Sequence, residues 1–369
     1  MKQEMTNPFS ASFGLIPTKT VGRENIVSGV AAVMGDYGSD WRTTLITGVR
    51  GSGKTTLLMK IKESLDAKGI LTIKTTASEE NMLGDMTLSL QRAITASNLE
   101  IKNTTLNLGA LKVEIGAKGF DDSFKSRMTD LFDNVHGKDN LIAFIVDEVN
   151  NSQALRRFAT AYQEWTLEGY KIMFIGAGLP WHVESLITGK TTSFLQRAHK
   201  ELLLPIEVSE LKNDFVAMFS TTGKSIPLEI AEEAAVISKG YPYVFQLLGS
   251  RMWDLTLAGS VVSESDLNLA VAYAKDMMYK NVYALLISEL TKFEQIFLIA
   301  MSEDADVSLM SQIRLRTEKE TSYLAKYRQR LIEQGLITGL ERGKVKFTLP
   351  FLREYLQNHF VEASFDDWE

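Results

Sequence analysis

The sequence predicts an α/β fold: a parallel sheet covered by helices, followed by an all-α unit and a C-terminal winged helix. Three observations predict it. Strand-like and helix-like segments alternate up to about residue 206, a rhythm that calls for parallel strands joined by crossover helices. The octet Gly48-Val49-Arg50-Gly51-Ser52-Gly53-Lys54-Thr55 fits the phosphate-binding pattern G-x-x-x-x-G-K-[ST] and lies between a strand-like run and a helix-like one. Past residue 206 the pattern turns purely helical, then ends in three helices and a hairpin.

Composition sets the outer limits. The 369 residues are 45% hydrophobic and 23% charged, the profile of a folded chain with two or three domains. The expected boundaries are 1–206 for the α/β core, 207–283 for a helical lid and 284–369 for the winged helix. With no cysteine, disulfides and thiolate metal sites are excluded, which fits a reducing, cytoplasmic setting. No apolar run approaches the ~20 residues of a membrane helix, so no membrane partner is expected. The first residues lack the apolar core of a signal peptide. The four histidines, His136, His182, His199 and His359, show no metal-ligand spacing.

Strands are expected at 43–47, 70–75, 141–147, 171–176 and 201–205, with helices at 54–67, 79–97, 124–136 and 153–168 between them. Residues 101–119 alternate around Gly109 and read as a hairpin, either packed on the flank or reaching a partner or nucleic acid. Lid helices are expected at 211–220, 227–239, 244–257 and 264–279. The last unit reads as helices at 288–301, 309–314 and 320–334, then strands at 336–340 and 345–349 joined by a basic turn.

The octet carries the chemistry. Its glycines let the backbone wrap close to phosphate with the amides of Gly48 through Thr55 pointing inward, where a Cβ would obstruct. Thr56 continues into a helix whose N-terminus adds partial positive charge. Lys54 is placed to reach the β- and γ-phosphates and Thr55 to give its hydroxyl to Mg²⁺. Residues 141–148, Leu-Ile-Ala-Phe-Ile-Val-Asp-Glu, form a continuous apolar strand ending in two carboxylates. Asp147 is the expected Mg²⁺ partner and Glu148 the expected general base toward water. The carboxylate pair favours hydrolysis over small-molecule kinase chemistry. No NKxD-like guanine reader is present, so ATP is the expected nucleotide.

These residues resemble the AAA+ P-loop ATPases, and among them the origin-recognition-type initiators and their bacterial relatives with a C-terminal winged helix. Asn7-Pro8-Phe9, Phe13-Gly14 and Val21-Gly22-Arg23-Glu24 look like the family's N-terminal segment against adenine, which makes Arg23 a nucleotide contact. Phe194-Leu195-Gln196-Arg197 is similar to the arginine-finger region, so the resemblance implies that Arg197 points at a neighbouring subunit's γ-phosphate. That in turn implies a nucleotide-dependent homo-oligomer. Two departures stand out. The fourth strand ends Ile175-Gly176-Ala177-Gly178 without the family's polar sensor. The lid reads Gly240-Tyr241-Pro242-Tyr243 where the family often has Gly-x-Pro-Arg, leaving Pro242 as a contact but Tyr243 without charge. Slow or partner-dependent hydrolysis is expected.

Charge is unevenly placed. From Gln312 to Lys346 nine basic residues face four acidic ones, a net of +5 in a chain of net charge −6. In the expected recognition helix Leu324, Tyr327 and Leu331 share one face, while Lys326, Gln329 and Arg330 lie opposite and Ser322 sits near the N-terminal end. Arg342 and Lys344 would form the wing. Double-stranded DNA is the expected partner, and a protein-binding winged helix explains the same residues. Two functions follow: a switch coupling nucleotide state to assembly and DNA binding, or a signalling or defence NTPase whose winged helix packs internally.

Overall fold

The computed structural model describes residues 6–10, 22–78, 80–96, 120–134 and 140–360. The expected hairpin at 101–119 and the N-terminal residues Phe13, Gly14 and Val21 lie outside the described residues. The chain divides into two compact units. A sheet unit comprises Arg23–Gly48 and Lys54–Leu203; a helical unit takes Val49–Gly53 and the chain from Leu204 on, with the N-terminal stretch.

The sheet unit runs α1 (Glu24–Ala32), β1 (Thr43–Thr47), α2 (Lys54–Asp66), β2 (Leu71–Thr76), α3 (Met82–Ala96), α4 (Phe120–Asn134), β3 (Ile142–Val149), α5 (Gln153–Leu167), β4 (Ile172–Gly178), α6 (Pro180–Ile187) and β5 (His199–Leu202). The strands pair in parallel in the order β2-β3-β4-β1-β5. Because side chains alternate across a strand, β3 feeds two cores. Phe144 and Val146 join Phe158, Trp165 and Phe174 on one face, while Ala143 and Ile145 join Leu57, Leu58 and Ile61 on the other. A strand covered on both sides has to be apolar, as β3 is up to Val146.

The last strand starts earlier than expected, at His199, and stops at Leu202. Pro205 lacks an N–H for a ladder bond, so 201–205 does not continue as strand. Four short helices escaped the sequence reading: α1, α6 and, farther along, α11 (Ala284–Ser288) and α15 (Leu352–Phe360).

The helical unit holds α7 (Val208–Ser220), α8 (Leu228–Ser238), α9 (Pro242–Leu255), α10 (Glu264–Met278), α11 (Ala284–Ser288), α12 (Lys292–Ser302), β6 (Val307–Leu309), α13 (Met310–Thr317), α14 (Thr321–Glu333), β7 (Ile337–Gly339), β8 (Lys344–Phe347) and α15. A single π-turn, Tyr279–Tyr283, joins α10 to α11. The helix expected at 288–301 starts later, at Lys292, and α11 lies almost wholly ahead of it. Thr291 and Glu294 form a reciprocal capping box that starts α12 afresh, leaving α11 a short turn. β6, β8 and β7 form a small antiparallel sheet, in which β6 is a strand the sequence reading missed.

One apolar core threads this unit from Leu211 on α7 to Leu356 on α15. Phe9 enters it, its ring 5.4 Å from Phe219 and 5.7 Å from Phe245 between centroids. Among the described residues no helix is long and apolar enough to cross a membrane.

Candidate functional site

β1 ends at Thr47 and α2 begins at Lys54, so the octet forms the turn between strand and helix. Gly51 and Gly53 have φ of +73° and +89°, in the region that side chains with a Cβ rarely adopt. The Ser52 amide donates to the Val49 carbonyl at 3.2 Å, and Lys54 Nζ donates to the Gly48 carbonyl at 2.8 Å. Thr55 is exposed, and Thr56 half-buried, in the first turn of α2. The buried Ser52 hydroxyl has no protein partner. The first amides of α2 have no carbonyl within their helix to bond. A helix start with a lysine and hydroxyls beside it suits, by its chemistry, an anion of several oxygens, as phosphate is.

The carboxylates sit at the same end of the sheet. Thr47 of β1 and Val149 of β3 both register with Gly178 of β4, so the octet and Asp147-Glu148 leave the sheet two strands apart. Two strand spacings are about 9.5 Å. β3 is irregular here, its register slipping between Val146 and Val149. Within that slip Glu148 takes φ of 52°, a left-handed conformation for a residue that is not glycine. Its amide donates to Asp147 Oδ1 at 2.9 Å, and Ser78 Oγ donates to Glu148 Oε2 at 2.6 Å. Asp147 is buried and Glu148 exposed.

The same slip explains the glycines at the end of β4. A Cβ at Gly176 would lie 2.9 Å from Val149 Cγ2, and one at Gly178 would lie 2.5 Å from the Val149 carbonyl. A bulged neighbour leaves no room for a side chain at either position.

The remaining sequence-predicted residues are dispersed. Arg23 caps the start of α1, half-buried. Pro242 opens α9, its ring carbon 3.8 Å from where a Cβ on Gly53 would stand. Tyr243 accepts from Asn281 Nδ2 at 3.3 Å. Tyr241, which the sequence reading passed over, is buried and donates its hydroxyl to the Arg50 carbonyl. Arg50 itself pairs with both oxygens of Glu289 at 2.7 Å. Asn7 and Phe9 are taken up by packing: Asn7 Nδ2 donates to Ser250 and Asp254, and Phe9 lies among Phe215, Phe219 and Phe245.

Arg197 is exposed at the end of a 3₁₀ turn, two residues before His199. His199 stacks on Trp41 at 3.8 Å and bonds Asp40 at 3.1 Å and Glu201 at 2.8 Å. Partial burial works against its charge, yet the two carboxylates prevail and raise its pKa above the usual 6.5.

The architecture has deciding likenesses among solved structures. The Walker-type ATPase PABY2304 of Pyrococcus abyssi superposes with a TM-score of 0.65 at 17% identity, over 92% of this chain and 96% of that one. The ORC2 protein of Aeropyrum pernix, in ADPNP–ADP complexes, gives 0.65 at 16% identity over 94% and 96%. This chain shares the AAA+ P-loop fold of these ATPases. Cdc6p from Pyrobaculum aerophilum gives 0.51 at 12% identity, over 94% of this chain and 96% of that one. A family described only as a domain of unknown function (DUF8462) matches residues 280–356. No curated protein matches the sequence. At these identities the AAA+ likeness is one of fold.

On the C-terminal sheet and helices, Leu324 and Leu331 of α14 are buried, and Tyr327 packs on Phe293 with centroids 4.6 Å apart. Ser322, Lys326 and Gln329 are exposed on the other side, with Gln329 bonded to Glu333 at 2.9 Å. Arg330 lies 3.6 Å from the buried Glu294. In the β7–β8 turn Arg342 is exposed and Lys344 pairs with Glu341 at 2.8 Å. Arg316 does not belong to this basic face. It is 19% exposed and bonds Asp304 through two nitrogens, Glu303 at 2.9 Å and the Ala300 carbonyl. Its charge is spent inside the fold.

Proposed function

We propose that this chain is a nucleotide-driven switch that binds ATP with Mg²⁺, hydrolyses it slowly and couples nucleotide state to assembly and DNA binding. The observation that carries this is the octet folded as a strand-to-helix turn at the end of the sheet where β3 carries Asp147-Glu148 in its last residues. Lys54 would leave the Gly48 carbonyl to bind β- and γ-phosphate oxygens. Thr55 and Asp147 would hold Mg²⁺, which supplies charge neutralisation on the phosphates. Glu148, steadied by Ser78, accepts a proton from the attacking water. Arg197, exposed on the surface, would complete the site of a neighbouring copy.

Residues 1–206 serve in this reading as the nucleotide core, 207–283 as lid and 284–369 as a winged helix. The order α12, α13, α14, β7, β8, with β6 beside β8, supports the last assignment. Ser322, Lys326, Gln329, Arg330, Arg342 and Lys344 are its candidate DNA contacts. Mobility shift of duplex DNA with ATP and with ADP tests the switch: retardation with ATP alone supports it, and none with either removes the DNA role.

A second reading has its own observation. The tip of the octet is tied to residues of the helical unit, through Tyr241 on the Arg50 carbonyl and Glu289 on its side chain. That suits a signalling NTPase kept inactive until a partner acts. Absence of a DNA shift together with oligomers formed only with a triphosphate favours it.

A further inference from the structure

Residues 49–51, at the tip of the octet, each pack within the helical unit to which they belong. Val49 packs against its core, and a Cβ on Gly335 would collide with the Val49 side chain. The Arg50 guanidinium holds both Glu289 oxygens, at 2.7 Å. The Arg50 carbonyl accepts from Tyr241, and a Cβ on Gly51 would overlap that same hydroxyl. Tyr241 is firmly mounted. Gly240 before it has φ of +74°, and a Cβ there would lie 2.5 Å from the Ile206 carbonyl. The Gly240 carbonyl accepts from the Ile206 amide at 3.0 Å, and Pro242 after it fixes the start of α9.

The peptide joining Arg50 to Gly51 is trans and planar, so its C=O and N–H point in opposite directions. Fixing the carbonyl on Tyr241 therefore turns the Gly51 amide away from Tyr241, free to serve as a donor to a phosphate oxygen. We propose that Tyr241 is a positioning residue for phosphate binding, holding the Arg50–Gly51 peptide in the orientation that a nucleoside di- or triphosphate requires. The start of α9 thereby acts on the loop backbone by a neutral hydrogen bond. Burial pushes the Tyr241 phenol pKa upward, so it remains a donor across the physiological range. The proposal rests on the nucleotide reading of the octet and adds to it a residue that touches no ligand.

Tyr241→Phe in the full chain keeps the ring and removes one oxygen. ADP and pyrophosphate are titrated into wild type and variant by calorimetry, beside melting curves and amide spectra of glycine-¹⁵N protein without ligand. Positioning predicts that both dissociation constants rise by a similar factor of about five to ten. It also predicts that the Gly51 and Gly53 amides shift while glycines elsewhere and the melting temperature stay in place. Unchanged affinities overturn the proposal. So does a variant that fails to fold or shifts glycines throughout, because the hydroxyl would then be holding up the helical unit. A wild type that binds neither ADP nor pyrophosphate removes the nucleotide reading and this proposal together. A wild type that binds both, with a variant that binds them equally well, removes this proposal alone.

Discussion

Ser78 donates its hydroxyl to Glu148 at 2.6 Å across the ends of β2 and β3, and Glu148 accepts it from a left-handed backbone. A residue kept in that conformation costs about 1–2 kcal/mol relative to a right-handed one. Such strain persists where the surroundings or the chemistry demand it. Glu148→Gln is expected to keep ADP affinity within about twofold while lowering turnover at least about a hundredfold, the usual contribution of a general base. Single-turnover phosphate release checks this. Glu148→Gly is expected to raise the melting temperature through relief of roughly 1 kcal/mol, while also losing turnover.

The half-buried pair of Arg316 and Asp304 predicts an acid limb of stability. The Arg316 guanidinium is the main cause that lowers the Asp304 pKa from its usual 3.8, ahead of the opposing effect of burial. A carboxyl lowered on folding stabilises above its unfolded pKa and loses that contribution as pH falls through the folded one. Stability should therefore drop below about pH 4. Arg316→Ala should cost about 2 kcal/mol at neutral pH by leaving Asp304 without its partner. Urea melts of the wild type and of Asp304→Asn at pH 3 and pH 7 measure the difference, which should shrink at the acid end.

His199 carries the opposite sign. Its pKa is raised, because Glu201 and Asp40 outweigh partial burial, so its contribution is present below 6.5 and fades as pH rises through the folded value. Proton NMR of the imidazole should titrate above 6.5, and in Glu201→Gln the midpoint should fall. Since His199 opens β5 two residues after Arg197, amide exchange in the turn Ser193–Arg197 should quicken as pH rises through that midpoint, once corrected for intrinsic exchange.

The proposed DNA face predicts a salt dependence. Each phosphate neutralised contributes about −0.9 to the slope of log affinity on log salt, so Lys326→Ala and Arg342→Ala should each flatten it by about one unit. Arg316→Ala should leave the slope unchanged, its charge being held by Asp304 and Glu303. Fluorescence anisotropy on a labelled duplex at several salt concentrations distinguishes these variants.

The sheet unit was legible because its signals are local. β3 is apolar up to Val146 since both faces are covered, and Gly51 and Gly53 of the octet lie where the backbone turns left-handed. The helical unit hid what depends on distant partners. Arg316 counts as a surface cation until Asp304 and Glu303 close on it. Tyr241 carries no motif of its own, and its partner Arg50 is 191 residues away. The break before α12 was written in the sequence as Thr291-Lys292-Phe293-Glu294, a capping box overlooked within a continuous apolar pattern. The absence of a polar residue at the end of β4 was legible, but its cause, the slipped register at Val149, was not.

The central claim is that the turn from Gly48 to Thr55 binds nucleotide through Lys54. Calorimetric titration of MgATP into wild type and Lys54→Ala tests it most directly. Removing the charge-assisted bonds of Lys54 should weaken binding by at least about a hundredfold, with the melting temperature little changed. Equal affinity in the two proteins would contradict the account.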